Sequence, residues 1–242
     1  MFNRLGKKLS SLGKRLGLKN NGFQHKLGLK KNIKKKPLSA QTGMTNEEKT
    51  SAKIAGDAYE EGNKRKGDID GFKYQPQHSD NDRAVYHNST TGHTRIGYKG
   101  TNSIKDLKVD LSDKNSILKG NQRGNEMYKK DLEHFDKVKK SLGSKKTTLS
   151  GHSLGGSRTF NVSKNKNVVG HAFNTGRSPL DKQMSIDRKK CNSPNPPSHC
   201  DKMVSLRTGN DPLSYVNKGA YGKHKQFKSH SFNAHSMDNF SK

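Results

Sequence analysis

Apolar residues are sparse along this 242-residue chain, but they recur with clear periods. Ala52, Ile54, Ala55, Ala58 and Tyr59 share one side of a helical wheel, which predicts a helix over 46–61. Thr45 with Glu48 three residues on has the capping-box pattern that opens such a helix. Residues 68–82 lack any period and read as a loop. Residues 83–86 and 94–98 read as two strands of a hairpin around Asn88-Ser89-Thr90-Thr91-Gly92. Tyr128, Leu132, Phe135, Val138 and Leu142 form one stripe over 126–142, and Gly143 ends it. A short β-like run at 146–149, a weakly helical segment at 157–163, and strands at 167–174 and 203–207 follow. Strands alternating with helices predict βαβ crossovers. The expected class is therefore α/β, with a mostly parallel central sheet flanked by helices.

Residues 1–43 break from this pattern. They hold twelve Lys or Arg and no Asp or Glu. Phe2, Leu5, Leu9, Leu12 and Leu16 recur at three- and four-residue spacing, so a short basic amphipathic helix is expected. Gly6, Gly13 and Gly17 weaken it as a free helix. The segment reads as a basic arm, either disordered or bound to a membrane or partner, attached to a folded domain at 44–242. The leucine face favours an anionic lipid surface or a protein groove over nucleic acid. Nucleic acid is supported only by charge, since no base-reading motif occurs.

Composition adds to this picture. The net charge is +27, which attracts phosphates and anionic headgroups but says nothing about fold. Mean hydropathy is −1.12 and tryptophan is absent, so the core must be lean. No run of about 18 apolar residues exists, and no apolar signal-like run opens the chain. Neither a transmembrane helix nor a secretory signal is expected, which leaves peripheral membrane or virion association open. The two cysteines, Cys191 and Cys200, flank a Pro-rich loop. The sequence leaves them paired or reduced. A zinc site on Cys191, His199 and Cys200 lacks a fourth ligand, so no metal is expected, and no organic cofactor.

The chemistry concentrates at Gly151-His152-Ser153-Leu154-Gly155-Gly156. This is G-x-S-x-G between a strand and a helix, the pattern of a nucleophile elbow. There the serine Oγ projects from a strained turn, and the N–H of the next residue, Leu154, faces the position of a developing oxyanion. Such a serine needs an acid and then a histidine further along. Asp211, in Asn210-Asp211-Pro212, lies just past a strand end, where sites gather in a parallel sheet. His224, His230 and His235 are the candidate bases. A place just before a terminal helix favours His235, with His230 as the alternative. His152 is excluded as the base, because the turn directs it away from its neighbour.

These blocks, with Tyr98-Lys99-Gly100-Thr101, Asp106 and Ala172-Phe173-Asn174-Thr175-Gly176-Arg177, resemble the class 3 (fungal-type) lipases over roughly 83–240. The resemblance implies an α/β-hydrolase fold and hydrolysis of lipid acyl esters, as lipase or phospholipase. It assigns Ser153 as nucleophile, Asp211 as acid and His235 as base. It adds Thr101 to Leu154 as an oxyanion donor. Two departures stand out. Lys99 replaces the family's arginine and cannot make the same bidentate contacts. In 110–125, where the family carries an amphipathic lid, only Leu111, Ile117 and Leu118 are apolar. A thin lid suggests weak interfacial activation, argues against long-chain triglyceride and leaves phospholipid or a short acyl ester open. A second function class stays open: a virion-associated or other assembly protein that carries a lipase-like domain.

Overall fold

The computed structural model describes residues 43–100, 126–176, 182–211, 220–229 and 234–241. The elements in order are α1 (Asn46–Asp57), β1 (Asp68–Ile69), β2 (Phe72–Tyr74), β3 (Arg83–Asn88), β4 (His93–Tyr98), α2 (Glu126–Ser141), β5 (Lys146–His152), α3 (Leu154–Lys166), β6 (Val169–Phe173), α4 (Lys182–Cys191), β7 (Met203–Thr208), β8 (Lys223–Phe227) and α5 (Asp238–Ser241). The described strands form one eight-stranded sheet in sequential order. β1 to β4 pair antiparallel as a meander. β4 to β8 pair in parallel, each step needing a crossover. This is the expected α/β class. No described helix is long and apolar enough to cross a membrane.

Strand alternation sends side chains to two covered faces. On one, Ala52 and Ala55 of α1 meet Phe173, Leu206, Phe227 and Phe240. On the other, Phe135 and Val138 of α2 and Val162 of α3 meet Val85, Ile96, Tyr98 and Leu149. The core is lean as composition required, and buried polar networks fill it. Asp131 of α2 is fully buried between Arg83 (Nε 2.9 Å) and Arg158 (Nε 2.8 Å, Nη2 2.7 Å). Arg158 also donates to the carbonyls of Asp82 (3.2 Å) and Lys99 (3.1 Å), pinning the chain as it leaves β4. Lys99 thus contributes its backbone here, and Arg158 supplies the guanidinium.

Several boundaries differ from the sequence reading. α1 opens at Thr45 with both capping-box hydrogen bonds, yet stops at Asp57 rather than 61. The Asp57 carboxylate accepts from the Tyr86 hydroxyl and the Lys66 amide, which holds the chain in its turn. The expected loop at 68–82 contains β1 and β2, which extend the meander beside β3. Their two and three residues are too short for a period to register. The weak helix after the elbow runs the full Leu154–Lys166. Cys191 and Cys200 form a disulfide, with Cα atoms 5.4 Å apart. It ties the end of α4, which the sequence reading missed, to the turn before β7.

Candidate active site

The elbow is built as its sequence demands. β5 ends at His152, α3 begins at Leu154, and Ser153 joins them at φ 56°, ψ −121°. A positive φ is costly for a residue with a Cβ and persists only where its surroundings enforce it. Those surroundings are specific. The Ser153 amide donates to the Phe173 carbonyl at the end of β6 (3.0 Å). Its carbonyl accepts from the amides of Gly156 (3.0 Å) and Gly176 (2.9 Å). The flanking glycines allow close approach. A Cβ on Gly151 would sit 2.2 Å from the Gly155 carbonyl oxygen, and one on Gly155 would sit 2.1 Å from that of Tyr98. The Leu154 amide lies in the first turn of α3, where helix geometry offers it no acceptor. It also takes the positive end of the helix dipole.

Asp211 follows β7 and is fully buried. Its Oδ1 lies 2.9 Å from Nδ1 of His235, which is half-buried. A carboxylate accepts only, so the Nδ1 of His235 donates to Asp211. The structure thus brings two of the predicted residues together.

His152 connects that pair to the elbow. Its Nε2 lies 2.6 Å from the His235 carbonyl oxygen and its Nδ1 lies 2.9 Å from the Tyr59 hydroxyl. The carbonyl can only accept, so Nε2 is protonated and Nδ1 accepts from Tyr59. Burial, with His235 beside it, pushes the His152 pKa down to about 3. The ring is neutral across the physiological range and stacks tilted on His235, with centroids 4.7 Å apart. Burial pushes the Tyr59 hydroxyl well above its ordinary pKa. A chain of hydrogen bonds thus runs from Tyr59 through His152 to the backbone of His235.

The other candidates divide plainly. His224 lies on β8 with Nε2 bonded to the Ala220 carbonyl (2.9 Å), a structural use. Thr101, Asp106, His230 and the segment 110–125 lie outside the described residues. Sequence reasoning missed Tyr59, Asn174, Thr208 and Asn239. The last three all direct side-chain donors at the carbonyl of Ala234, the residue before His235. The one signal at hand was Asn174, an Asn directly after a buried strand, a position tolerant of left-handed backbone. Cys191, His199 and Cys200 do cluster, but the two sulfurs are bonded to each other.

No known family and no curated protein matches the sequence. Among solved structures, the chain is similar to the lipase Lip2 of Yarrowia lipolytica, at 14% identity and a TM-score of 0.48, covering 78% of this chain and 81% of that one. It is similar to the Rhizomucor miehei lipase in its propeptide complex, at 14% identity and TM-score 0.47, covering 79% and 70%. It is similar to a triacylglycerol lipase of Penicillium expansum, at 12% identity and TM-score 0.47, covering 83% and 84%. These likenesses are distant, and the functional reading rests on the site's own geometry.

Proposed function

We propose that this chain is a serine ester hydrolase acting on lipid acyl esters, as a lipase or phospholipase. Ser153 Oγ attacks the acyl carbon while Nε2 of His235 takes its proton. The proton then passes to the leaving alkoxide, and water cleaves the acyl-serine by the same route. Asp211 holds the imidazole tautomer and stabilises its charged form. The Leu154 amide, with Thr101, receives the oxyanion, each donor contributing about 3 kcal/mol. No step calls on a metal or cofactor.

One observation carries this reading. A serine held at φ 56° adjoins His152, which bonds the backbone of the same His235 whose Nδ1 meets buried Asp211 at 2.9 Å. The assay is p-nitrophenyl esters of graded chain length beside phospholipid vesicles. Ser153→Ala should abolish hydrolysis of every ester while the protein stays folded. Hydrolysis that survives this change would overturn the proposal.

The basic arm, residues 1–43, supports delivery of the enzyme to an anionic membrane. The alternative is an assembly or virion-associated role, with the arm docked on a structural partner. Deleting 1–43 separates the two. A membrane-targeted enzyme keeps its activity on soluble esters and loses binding to anionic vesicles. An assembly protein loses incorporation instead, and a nucleic-acid arm would show a steep salt dependence of DNA affinity.

A further inference from the structure

Asn174 stands at φ 41°, fully buried, immediately after β6. Glycine would occupy that backbone at no cost. The asparagine side chain does what glycine cannot. Its Oδ1 accepts from the Thr208 amide (2.9 Å), and its Nδ2 donates to the Ala234 carbonyl (3.0 Å). The donor and acceptor ends of the amide are therefore fixed by their partners. Its own backbone amide bonds the Leu206 carbonyl (2.9 Å), so the residue is anchored to β7 twice.

Both partners lie at short distance along the chain from the proposed acid and base. Thr208 ends β7 three residues before Asp211, and its carbonyl accepts from the Asp211 amide (3.4 Å). Ala234 directly precedes His235. One planar amide therefore holds the strand that carries the carboxylate and the segment that carries the imidazole. The Ala234 carbonyl is further bonded by the Thr208 hydroxyl (2.5 Å) and by Nδ2 of Asn239 (3.3 Å). Asn239 Nδ2 also reaches the Ser236 carbonyl (3.0 Å), on the other side of His235. With His152 on the His235 carbonyl itself, three successive carbonyls are tied down.

We propose that Asn174 is a positioning residue that sets the Asp211–His235 geometry by clamping the ends of their two segments to each other. This rests on the triad reading above. Left-handed backbone that glycine would adopt freely is here given to asparagine, and the cost is offset by hydrogen bonds to both segments. Removing the amide leaves the nucleophile and its elbow in place and loosens only the acid–base pair.

The test is Asn174→Gly, which keeps the backbone conformation, beside Asn174→Asp, which keeps shape and tolerance of φ 41° but turns an acceptor toward the Ala234 carbonyl. Sites are counted by stoichiometric fluorophosphonate labelling, so kcat refers to folded, competent protein. Both variants should lose about tenfold in kcat per labelled site with KM within about twofold, the signature of lost orientation rather than lost binding. Thr208→Val, which removes a second donor to the same carbonyl, serves if either variant fails to fold, and should show the same losses. A kcat within about twofold, with Ser153→Ala inactive, would overturn the positioning role. Activity in Ser153→Ala would instead overturn the triad reading beneath it.

Discussion

Nε2 of His152 donates to the carbonyl oxygen of His235 at 2.6 Å. The histidine next to the proposed nucleophile thus supports the base without replacing it. Its low pKa, about 3, comes first from burial and keeps it neutral. His152→Phe removes both ring hydrogen bonds at similar volume. It should lower kcat by about tenfold to a hundredfold through misplacement of His235. Because His152 does not titrate between pH 5 and 9, no limb of the pH–rate profile belongs to it. The shape of the kcat/KM–pH profile should therefore be the same in His152→Phe as in wild type, and only its height should fall.

This relationship marks where sequence reading stopped. The strained turn at Ser153 and the Asp211–His235 contact were legible, the first from its flanking glycines and the second from the order of the residues along the chain and their places beyond strand ends. Helices α1 and α2 were legible from their apolar stripes. His152 read only as a side chain turned away from its neighbour, since nothing local shows that Tyr59 and His235 close around it from 93 and 83 residues away. Thr208 was silent, and Asn174 showed only its place after a strand, for the same reason: their partner, Ala234, is brought near only by the sheet. β1 and β2 were missed because two or three residues carry no period. Lys99 read as a lost arginine contact, whereas Arg158 reaches the same strand end from α3.

Asp211 should matter through charge and tautomer rather than packing. Asp211→Asn keeps the size of a fully buried side chain but can favour the wrong imidazole tautomer at Nδ1. The expected loss in kcat is about 10³- to 10⁴-fold, with KM little changed. Steady-state kinetics on a soluble p-nitrophenyl ester, with circular dichroism to verify the fold, decides it. A loss below about tenfold would remove Asp211 from the machinery.

Asp131 is predicted to be the costliest single charge to delete. It is fully buried and neutralises two guanidinium groups, Arg83 and Arg158, which are themselves buried. Asp131→Ala strands Arg158 and leaves Arg83 with Asp80 as its remaining carboxylate, at 2.6 Å, and removing one member of a buried ionic group costs about 3–5 kcal/mol. Urea unfolding should show the midpoint collapse, with the slope unchanged. Asp131→Ala with Arg158→Met should recover part of the loss, because one stranded charge is then gone. A loss of unfolding free energy under about 1 kcal/mol would show that water reaches the cluster.

Acid should destabilise the fold before carboxylates protonate. Burial, the largest cause in each case, lowers the pKa of His93 to about 4, of His171 to about 4 and of His152 to about 3. An unfolded chain protonates these rings near pH 6.5, so between pH 6.5 and about 4 the unfolded state binds more protons than the folded one. Stability is therefore complete above pH 6.5 and falls as pH drops through that window. Each ring contributes a slope of up to about 1.4 kcal/mol per pH unit. Melting curves from pH 7.5 to 4.5 should show this decline. Replacing His171, whose Nδ1 meets buried Ser51 at 2.7 Å, with Asn should reduce the slope even if it lowers the plateau. An unaltered slope would show that His171 is protonated in the fold.

The Cys191–Cys200 bridge should govern stability and leave catalysis alone. It closes a short loop, with the cysteines nine residues apart in sequence, and chain entropy values such a closure at about 2–3 kcal/mol. Its position separates it from the chemistry. Cys200 precedes the start of β7 at Met203, whereas Asp211 follows the other end at Thr208. Six residues of strand put about 20 Å between those ends. Cys191→Ser with Cys200→Ser, or reduction by a dithiol, should lower Tm by several degrees. At 25 °C, kcat on a soluble ester should stay within about twofold, since the strand ends that hold Asp211 and Asn174 are untouched. A large loss of kcat at full folded content would mean that α4 and its bridge reach the acyl-binding side of the site.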